Sequence, residues 1–215
     1  MTTLTLPSPA TLSRSAPRVR QPAGYSPEDL LLMSDDELYE LVDGQLLKKS
    51  LSGLSSWVGA EVGSRLGNFV VEHQLGWVFG SDTGYQCFAD APDKVRKPDT
   101  SFVAQDKLPN GPTDGHLRVV PDLAVEVTSP NDSLRDSDRK VEEYLAAGVR
   151  SVWLIDPNVR IVQVIRADGT TQRLRDPDEL TEPNILPGFR CYVRDFLPPI
   201  SGATVMPVAN NEQSR

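Results

Sequence analysis

Three carboxylates in this chain stand where a charge is costly. Residues 119–128 are mostly apolar and β-favouring, and Asp122 and Glu126 are the exceptions among them. Such a run predicts a central strand buried on both faces. Alternate side chains of a strand share a face, so Asp122, Ala124 and Glu126 point one way and Leu123, Val125 and Val127 the other. An ionised carboxylate in that setting costs several kcal/mol unless something positive compensates it. Glu126 therefore needs either a salt bridge to a Lys or Arg or a metal ion.

A second acidic signal lies upstream, in Arg96-Lys97-Pro98-Asp99 at the start of another expected strand. Hard oxygen ligands of this kind suit magnesium or manganese. Distance ranks the acids: at about 3.3 Å per residue, the Asp122 and Glu126 backbones are about 13 Å apart, too far to share one ion easily. Asp99 and Glu126, from adjacent strands, are the better pair of metal ligands, with Asp122 as a supporting acid.

Those carboxylates need a scaffold. Ser26-Pro27-Glu28-Asp29 combines an N-cap, a first-turn proline and two acids suited to the helix dipole, so a short helix begins there and ends near Met33. Between Tyr39 and Leu47, Asp43-Gly44 is flanked by apolar-rich stretches, which predicts a hairpin. A helix from Asp35 closed by Gly44 is the competing reading. Val58, Val62, Leu66, Phe69, Val70 and Leu75 recur at roughly helical spacing over 54–75, with Gly76 as the expected C-cap.

Short β-like runs follow at 77–80, 85–89 and 100–104, then a loop rich in Pro, Gly and Asp over 105–115, together implying an antiparallel meander. Asp132 or Ser133 can cap a helix to Ala147, with Gly148 beyond it and a buried strand over 151–156. Strand, helix and strand at this spacing imply a crossover. Residues 159–166, Asp168-Gly169 and 170–174 read as a closing hairpin, and no periodic pattern follows Leu197.

Composition bounds the rest. A chain of 215 residues with 39% hydrophobic content can bury one core, so one domain is expected over 26–197. The flanks, 1–25 and 198–215, read as a disordered arm and tail. Residues 1–22 carry Arg14, Arg18 and Arg20 and no acid, a composition that permits a transit peptide, but Pro7, Pro9 and Pro17 interrupt any amphipathic helix and favour a disordered arm. Cys87 and Cys191 are too few for a disulfide framework and fit a reducing cytoplasm, each as a small buried apolar residue. No apolar run is long enough to span a membrane. His73 and His116 lack ligand spacing with a second His or Cys. Without the arm, 19 basic residues face 30 acidic ones, a net charge of −11. That balance argues against general nucleic-acid binding unless carboxylates ligate metal or an oligomer, such as a homodimer, gathers its basic residues on one surface.

With these residues in place, the chain resembles the Uma-type restriction endonucleases, a branch of the PD-(D/E)XK nuclease superfamily. The matching segments are YELVDG (39–44), RKPDTSFV (96–103), PDLAVEVTSPND (121–132), Lys140, Glu143-Tyr144, Gly148 and VWLID (152–156), within a resemblance covering roughly 26–197. It implies an α/β (α+β) fold, restriction-endonuclease-like, with a mixed central sheet flanked by helices and an N-terminal β-hairpin. It makes Asp99 the Asp of the PD motif and Glu126 the acid that follows. Metal-dependent phosphodiester hydrolysis follows from it, with Mg2+ or Mn2+ as cofactor and DNA as substrate.

Two positions depart from the family pattern. The superfamily's catalytic lysine belongs two residues after the motif Glu, where Thr128 stands. Lys140 matches a lysine that the Uma-type family keeps on the next helix; it either reaches back as the transition-state cation or is a solvated surface lysine. The family's histidine near the start of the long helix is replaced by Ser55 and its neighbours. Glu40 matches the family's acid beside the hairpin turn, and either completes the site or is an exposed hairpin carboxylate. The expected function is a magnesium-dependent DNA endonuclease. The alternative is a catalytically inactive nuclease-fold protein acting as a binding or regulatory module; an RNA-processing or repair nuclease differs only in substrate.

Overall fold

The computed structural model describes residues 24–33, 38–50 and 52–200. Nearly all of the expected arm and tail, and the start of the competing helix at Asp35, lie outside the described residues.

Pro27–Leu31 form helix α1, opened by a reciprocal capping box in which Ser26 Oγ accepts the Asp29 N–H and the Asp29 carboxylate accepts the Ser26 N–H. Strands β1 (Tyr39–Val42) and β2 (Gln45–Lys48) pair antiparallel, so the hairpin reading prevails over the helix. Asp43 and Gly44 take φ of 51° and 73° in the two-residue turn, a twist that matches the flanking strands.

Helix α2 (Gly53–Glu72) buries Val58, Val62, Leu66 and Val70, which recur at helical spacing. Its end differs from expectation. The Leu75 N–H bonds Val70 O and the Gln74 N–H bonds Val71 O, a Schellman arrangement with Gln74 at φ 54° in the place glycine usually takes. Gly76 instead opens strand β3 (Gly76–Gly80), where a Cβ would lie 2.2 Å from Val103 O; its smallness permits the close approach of two backbones.

The central sheet has the order β3-β4-β5-β6-β7-β8. Strand β4 (Thr100–Ala104) pairs antiparallel with β3 and with β5 (Leu123–Val127). Helix α3 (Leu134–Ala147), capped by Ser133, carries the chain across to β6 (Ser151–Asp156), which lies parallel to β5. Strands β7 (Ile161–Arg166) and β8 (Thr171–Arg175) close the sheet as an antiparallel hairpin. This is a mixed α+β sheet with one parallel pair, as the crossover requires.

Two expectations contract. The strand expected over 119–128 is only Leu123–Val127, because Pro121 offers no N–H to a ladder. The run at 85–89 forms no strand: Tyr85 makes isolated bridges to Arg96 and Leu117, and its hydroxyl bonds Ser101 Oγ at 2.7 Å. Three elements lay beyond the predicted pattern: β9 (Glu179–Glu182), β10 (Leu186–Tyr192) and a 3-10 helix, Val193–Phe196.

Both faces of the sheet are covered. On one, Leu123, Val125, Val127, Trp153 and Ile155 pack with α2, the β9-β10 ribbon and Phe196. On the other, Ala124 and Val152 pack with Val141 and Tyr144 of α3 and with Phe88. Glu126 shares the second face with Ala124.

Candidate active site

Backbone hydrogen bonds bring Asp99 beside Glu126. Thr100 pairs with Val125 and Ser101 with Ala124, so Asp99 and Glu126 each stand one residue beyond the same end of the paired stretch. The Asp99 N–H bonds Val125 O at 2.9 Å, and its Oδ2 accepts the Val127 N–H at 2.7 Å. Asp99 is thereby tied to the backbone on both sides of Glu126, by its N–H at Val125 and by its carboxylate at Val127.

Helix α3 supplies the neighbours of Glu126. Lys140 and Tyr144 are four residues apart and face β5 together. Tyr144 Oη donates to Glu126 Oε1 at 2.7 Å, and Lys140 Nζ lies 3.2 Å from Oε2. The same Nζ lies 3.3 Å from Glu40 Oε2, so Lys140 bridges two carboxylates and is no solvated surface lysine.

Glu40, on β1, is 2% exposed. It accepts from Arg96 at 2.8 Å and from the Lys97 N–H at 3.0 Å. Arg96, 1% exposed, also holds Glu143 at 2.8 Å, and Lys94 reaches Glu143 at 3.2 Å. Lys49, just beyond β2, places Nζ 2.8 Å from Asp99 Oδ1 and 2.6 Å from Lys97 O. Among the described residues, four carboxylates, Glu40, Asp99, Glu126 and Glu143, thus form ion pairs with four cations, Lys49, Lys94, Arg96 and Lys140. Each motif carboxylate has a lysine partner.

Sequence reasoning missed Lys49. The signal was available: a two-residue turn at Asp43-Gly44 pairs Glu40 with Leu47, and Lys49, two residues on, shares that face.

Charge and burial compete throughout the cluster. Burial pushes the Glu126 carboxyl above its ordinary value; Lys140 opposes that, and the neighbouring Asp99 charge adds to it. Burial works against the Lys140 charge, but Glu126 and Glu40 more than offset it, so the ammonium stays protonated. Burial, with Glu126 and Glu40, raises the Tyr144 phenol well above its ordinary range, which keeps it a donor.

Glu40 goes the other way. Burial raises it, but Lys140, Arg96 and Lys49 outweigh burial and hold it below its ordinary value of 4.5. A carboxylate held low in the folded state contributes stability that is present above the unfolded value and is lost as pH falls through the folded one. Wild type is therefore expected to exceed Glu40→Gln in melting temperature above pH 4.5, with the gap closing as the pH drops further. Thermal melts from about pH 3 to about pH 7 check this, and a gap that does not change with pH contradicts it.

The remaining candidates lie apart from this cluster. Asp122, just before β5, accepts the Ala104 N–H at 2.9 Å and pairs with Lys107 at 3.0 Å and Arg150 at 3.6 Å. His73 stacks on Phe69, and His116 bonds Pro27 O at 3.0 Å. Cys87 and Cys191 are free and half-buried, with burial pushing their thiols up to about 11 and about 12. Ser55 is spent on the reciprocal cap of α2, exchanging backbone and hydroxyl bonds with Ser52. Thr128, where the superfamily lysine would stand, borders a small cavity of about 40 Å³ with Lys140 and Glu126.

Among the described residues, no group of three or more His, Cys, Asp or Glu side chains is arranged to hold a metal ion. The donor chemistry of the Asp99–Glu126 pair nevertheless fits a hard divalent cation. Among the described residues each of the four carboxylate oxygens has one hydrogen-bond partner and so keeps a lone pair. Asp99 also borders an open cavity of about 370 Å³ lined by Ser55, Gly59 and Phe79. Two protein ligands suffice for Mg2+, which keeps much of its water. Among the described residues no helix is long and apolar enough to cross a membrane.

Comparison with known proteins places this geometry in context. The family described as "Uma2: Putative restriction endonuclease" matches residues 27–194. The crystal structure of a "putative nuclease belonging to DUF820" from Anabaena variabilis ATCC 29413 superposes with a TM-score of 0.69 at 21% identity, covering 80% of this chain and 97% of that one. At that identity the likeness establishes the fold. No curated protein matches the chain.

Proposed function

The chain belongs to the Uma2 family, described as putative restriction endonucleases, and from that premise we propose that it is a Mg2+- or Mn2+-dependent endonuclease hydrolysing phosphodiester bonds in DNA in the cytoplasm. The observation that carries the reading is the Asp99 carboxylate on the Val127 N–H, next to Glu126, with Lys140 at 3.2 Å from Glu126.

Asp99 and Glu126 would hold the ion. When bound, the ion supplies charge to polarise the phosphate and lowers the pKa of the attacking water. The chain's own residues do the rest. Tyr144 fixes Glu126 through Oε1, so the other oxygen has one orientation. Lys140 presents its ammonium to the same site and takes the part of the lysine that Thr128 replaces, stabilising charge that builds on the phosphate in the transition state. Glu40 positions Lys140 and is itself anchored by Arg96 and the Lys97 N–H. Asp122 supports the site indirectly, tying the start of β5 to Ala104.

A second reading has its own observation. Among the described residues no Lys or Arg lines the cavity beside Asp99, and the chain carries a net charge of −8, which suits a nuclease-fold protein that binds a partner without cutting nucleic acid. Incubation with supercoiled plasmid, single-stranded DNA and RNA separates the readings. Plasmid nicking that needs Mg2+ and stops with a chelator is expected. Cleavage of RNA alone would move the substrate assignment, and inertness towards all three would support the binding module.

A further inference from the structure

Lys49 carries an inference that rests on reading Asp99 and Glu126 as metal ligands. Its side chain is 4% exposed, and its ammonium is held between Asp99 Oδ1 at 2.8 Å and Lys97 O at 2.6 Å. A positive charge thus already sits on one of the oxygens that a hard cation needs. Among the described residues Asp99 is the only ion-pair partner of Lys49, whereas Lys140 is shared between Glu126 and Glu40.

The local balance sharpens the point. Among the described residues these ion pairs join four carboxylates to four cations, so the charges they link balance. A divalent ion leaves the cluster with excess positive charge in a largely buried place, and an ion and an ammonium on one carboxylate repel each other. Two of the four cations pair with a single carboxylate, Lys49 with Asp99 and Lys94 with Glu143, and of these only Lys49 sits on a carboxylate read as a metal ligand. Asp99, the carboxylate that Lys49 holds, borders the 370 Å³ cavity, as does Ser50, the residue after Lys49.

We propose that Lys49 is a built-in competitor for the metal site: its ammonium closes Asp99 in the metal-free protein and withdraws from it when a divalent ion is taken up. Affinity for the ion is then set by the displacement of Lys49 as well as by the ligands.

Calorimetric titration of the full chain with Mn2+ alone tests this on wild type, Lys49→Met, Lys49→Arg and Asp99→Asn. Lys49→Met is expected to bind Mn2+ about tenfold more tightly than wild type or better, the scale of a close charge pair. Lys49→Arg, which keeps the charge, stays near wild type, and Asp99→Asn takes up no ion. Equal or weaker binding by folded Lys49→Met, beside normal binding by wild type, overturns the competitor role and leaves the metal reading standing. No uptake by any of the four proteins overturns the metal reading, and the competitor role with it. Wild type alone supplies a second measurement that does not depend on a variant folding: reductive methylation of lysines, quantified by mass spectrometry. Modification of Lys49 is expected to speed up several-fold in Mg2+, and unchanged protection in protein saturated with Mg2+ overturns the proposal.

Discussion

Replacing Asp99 by Asn is expected to lower Mg2+-dependent DNA cleavage by at least about 100-fold, the scale seen when one electrostatic contact to a transition state is removed. The substitution keeps the size of the side chain, and the amide oxygen can still accept the Val127 N–H that Asp99 accepts at 2.7 Å. What it removes is the negative charge. Without it, an ion at this position has only Glu126, whose carboxyl burial already pushes towards its neutral form. The amide also turns donor hydrogens towards Lys49, which loses its counter-charge. Melting curves should therefore accompany the assay, because only a folded variant with lost cleavage bears on chemistry. Gel assays on supercoiled plasmid give the rate, and a folded Asp99→Asn protein that cuts within a few-fold of wild type would remove Asp99 from the mechanism.

The fold was legible where pattern and burial agree. Leu123–Val127 and Ser151–Asp156 read as buried strands because a parallel pair covered on both faces is apolar almost throughout, and the helix between them carries ordinary caps at Ser133 and Gly148. Asp43-Gly44 fixed the hairpin. The β9-β10 ribbon escaped because its pattern misleads. Glu182 is fully buried, pinned by Ser151 at 2.8 Å and Arg166 at 2.8 Å, whereas an isolated glutamate in a short polar run reads as exposed. The register between β9 and β10 also shifts between Leu186 and Arg190, which breaks any alternation.

The site was legible in its acids and obscure in its bases. A carboxylate in an apolar strand declares itself, because burial there is costly without a partner. Lys and Arg occur mostly on surfaces and give no such signal, so Arg96 and Lys49 looked unremarkable until the β1-β2 hairpin and the segment before β4 were brought together in space. The sequence left two compensations for Glu126 open, and the lysine contact is present at 3.2 Å. The proposed metal reading leaves that contact in place, and the lysine it displaces is Lys49, which faces Asp99.

The largest effect on stability is expected from Arg96→Met. Met matches the length of the apolar stem but leaves Glu40 and Glu143 without the guanidinium that spans them at 2.8 Å on each side. Removing one member of a buried ion cluster typically costs about 3–5 kcal/mol, because a charge remains inside without its partner. For a chain of this size, each kcal/mol moves the melting temperature by about 2–4 °C, so a fall on the order of 10 °C is expected. Lys140 and Lys94 still face the orphaned acids, at 3.3 Å from Glu40 and 3.2 Å from Glu143, and they limit the loss. The double variant Arg96→Met with Glu40→Gln separates charge from packing. If the penalty arises from an unpaired carboxylate, neutralising Glu40 restores part of the melting temperature, and the two substitutions are not additive. A double variant whose losses simply add would show that Arg96 acts by filling space, and Arg96→Met melting within about 2 °C of wild type would show that Lys140 and Lys94 suffice to neutralise the acids without it.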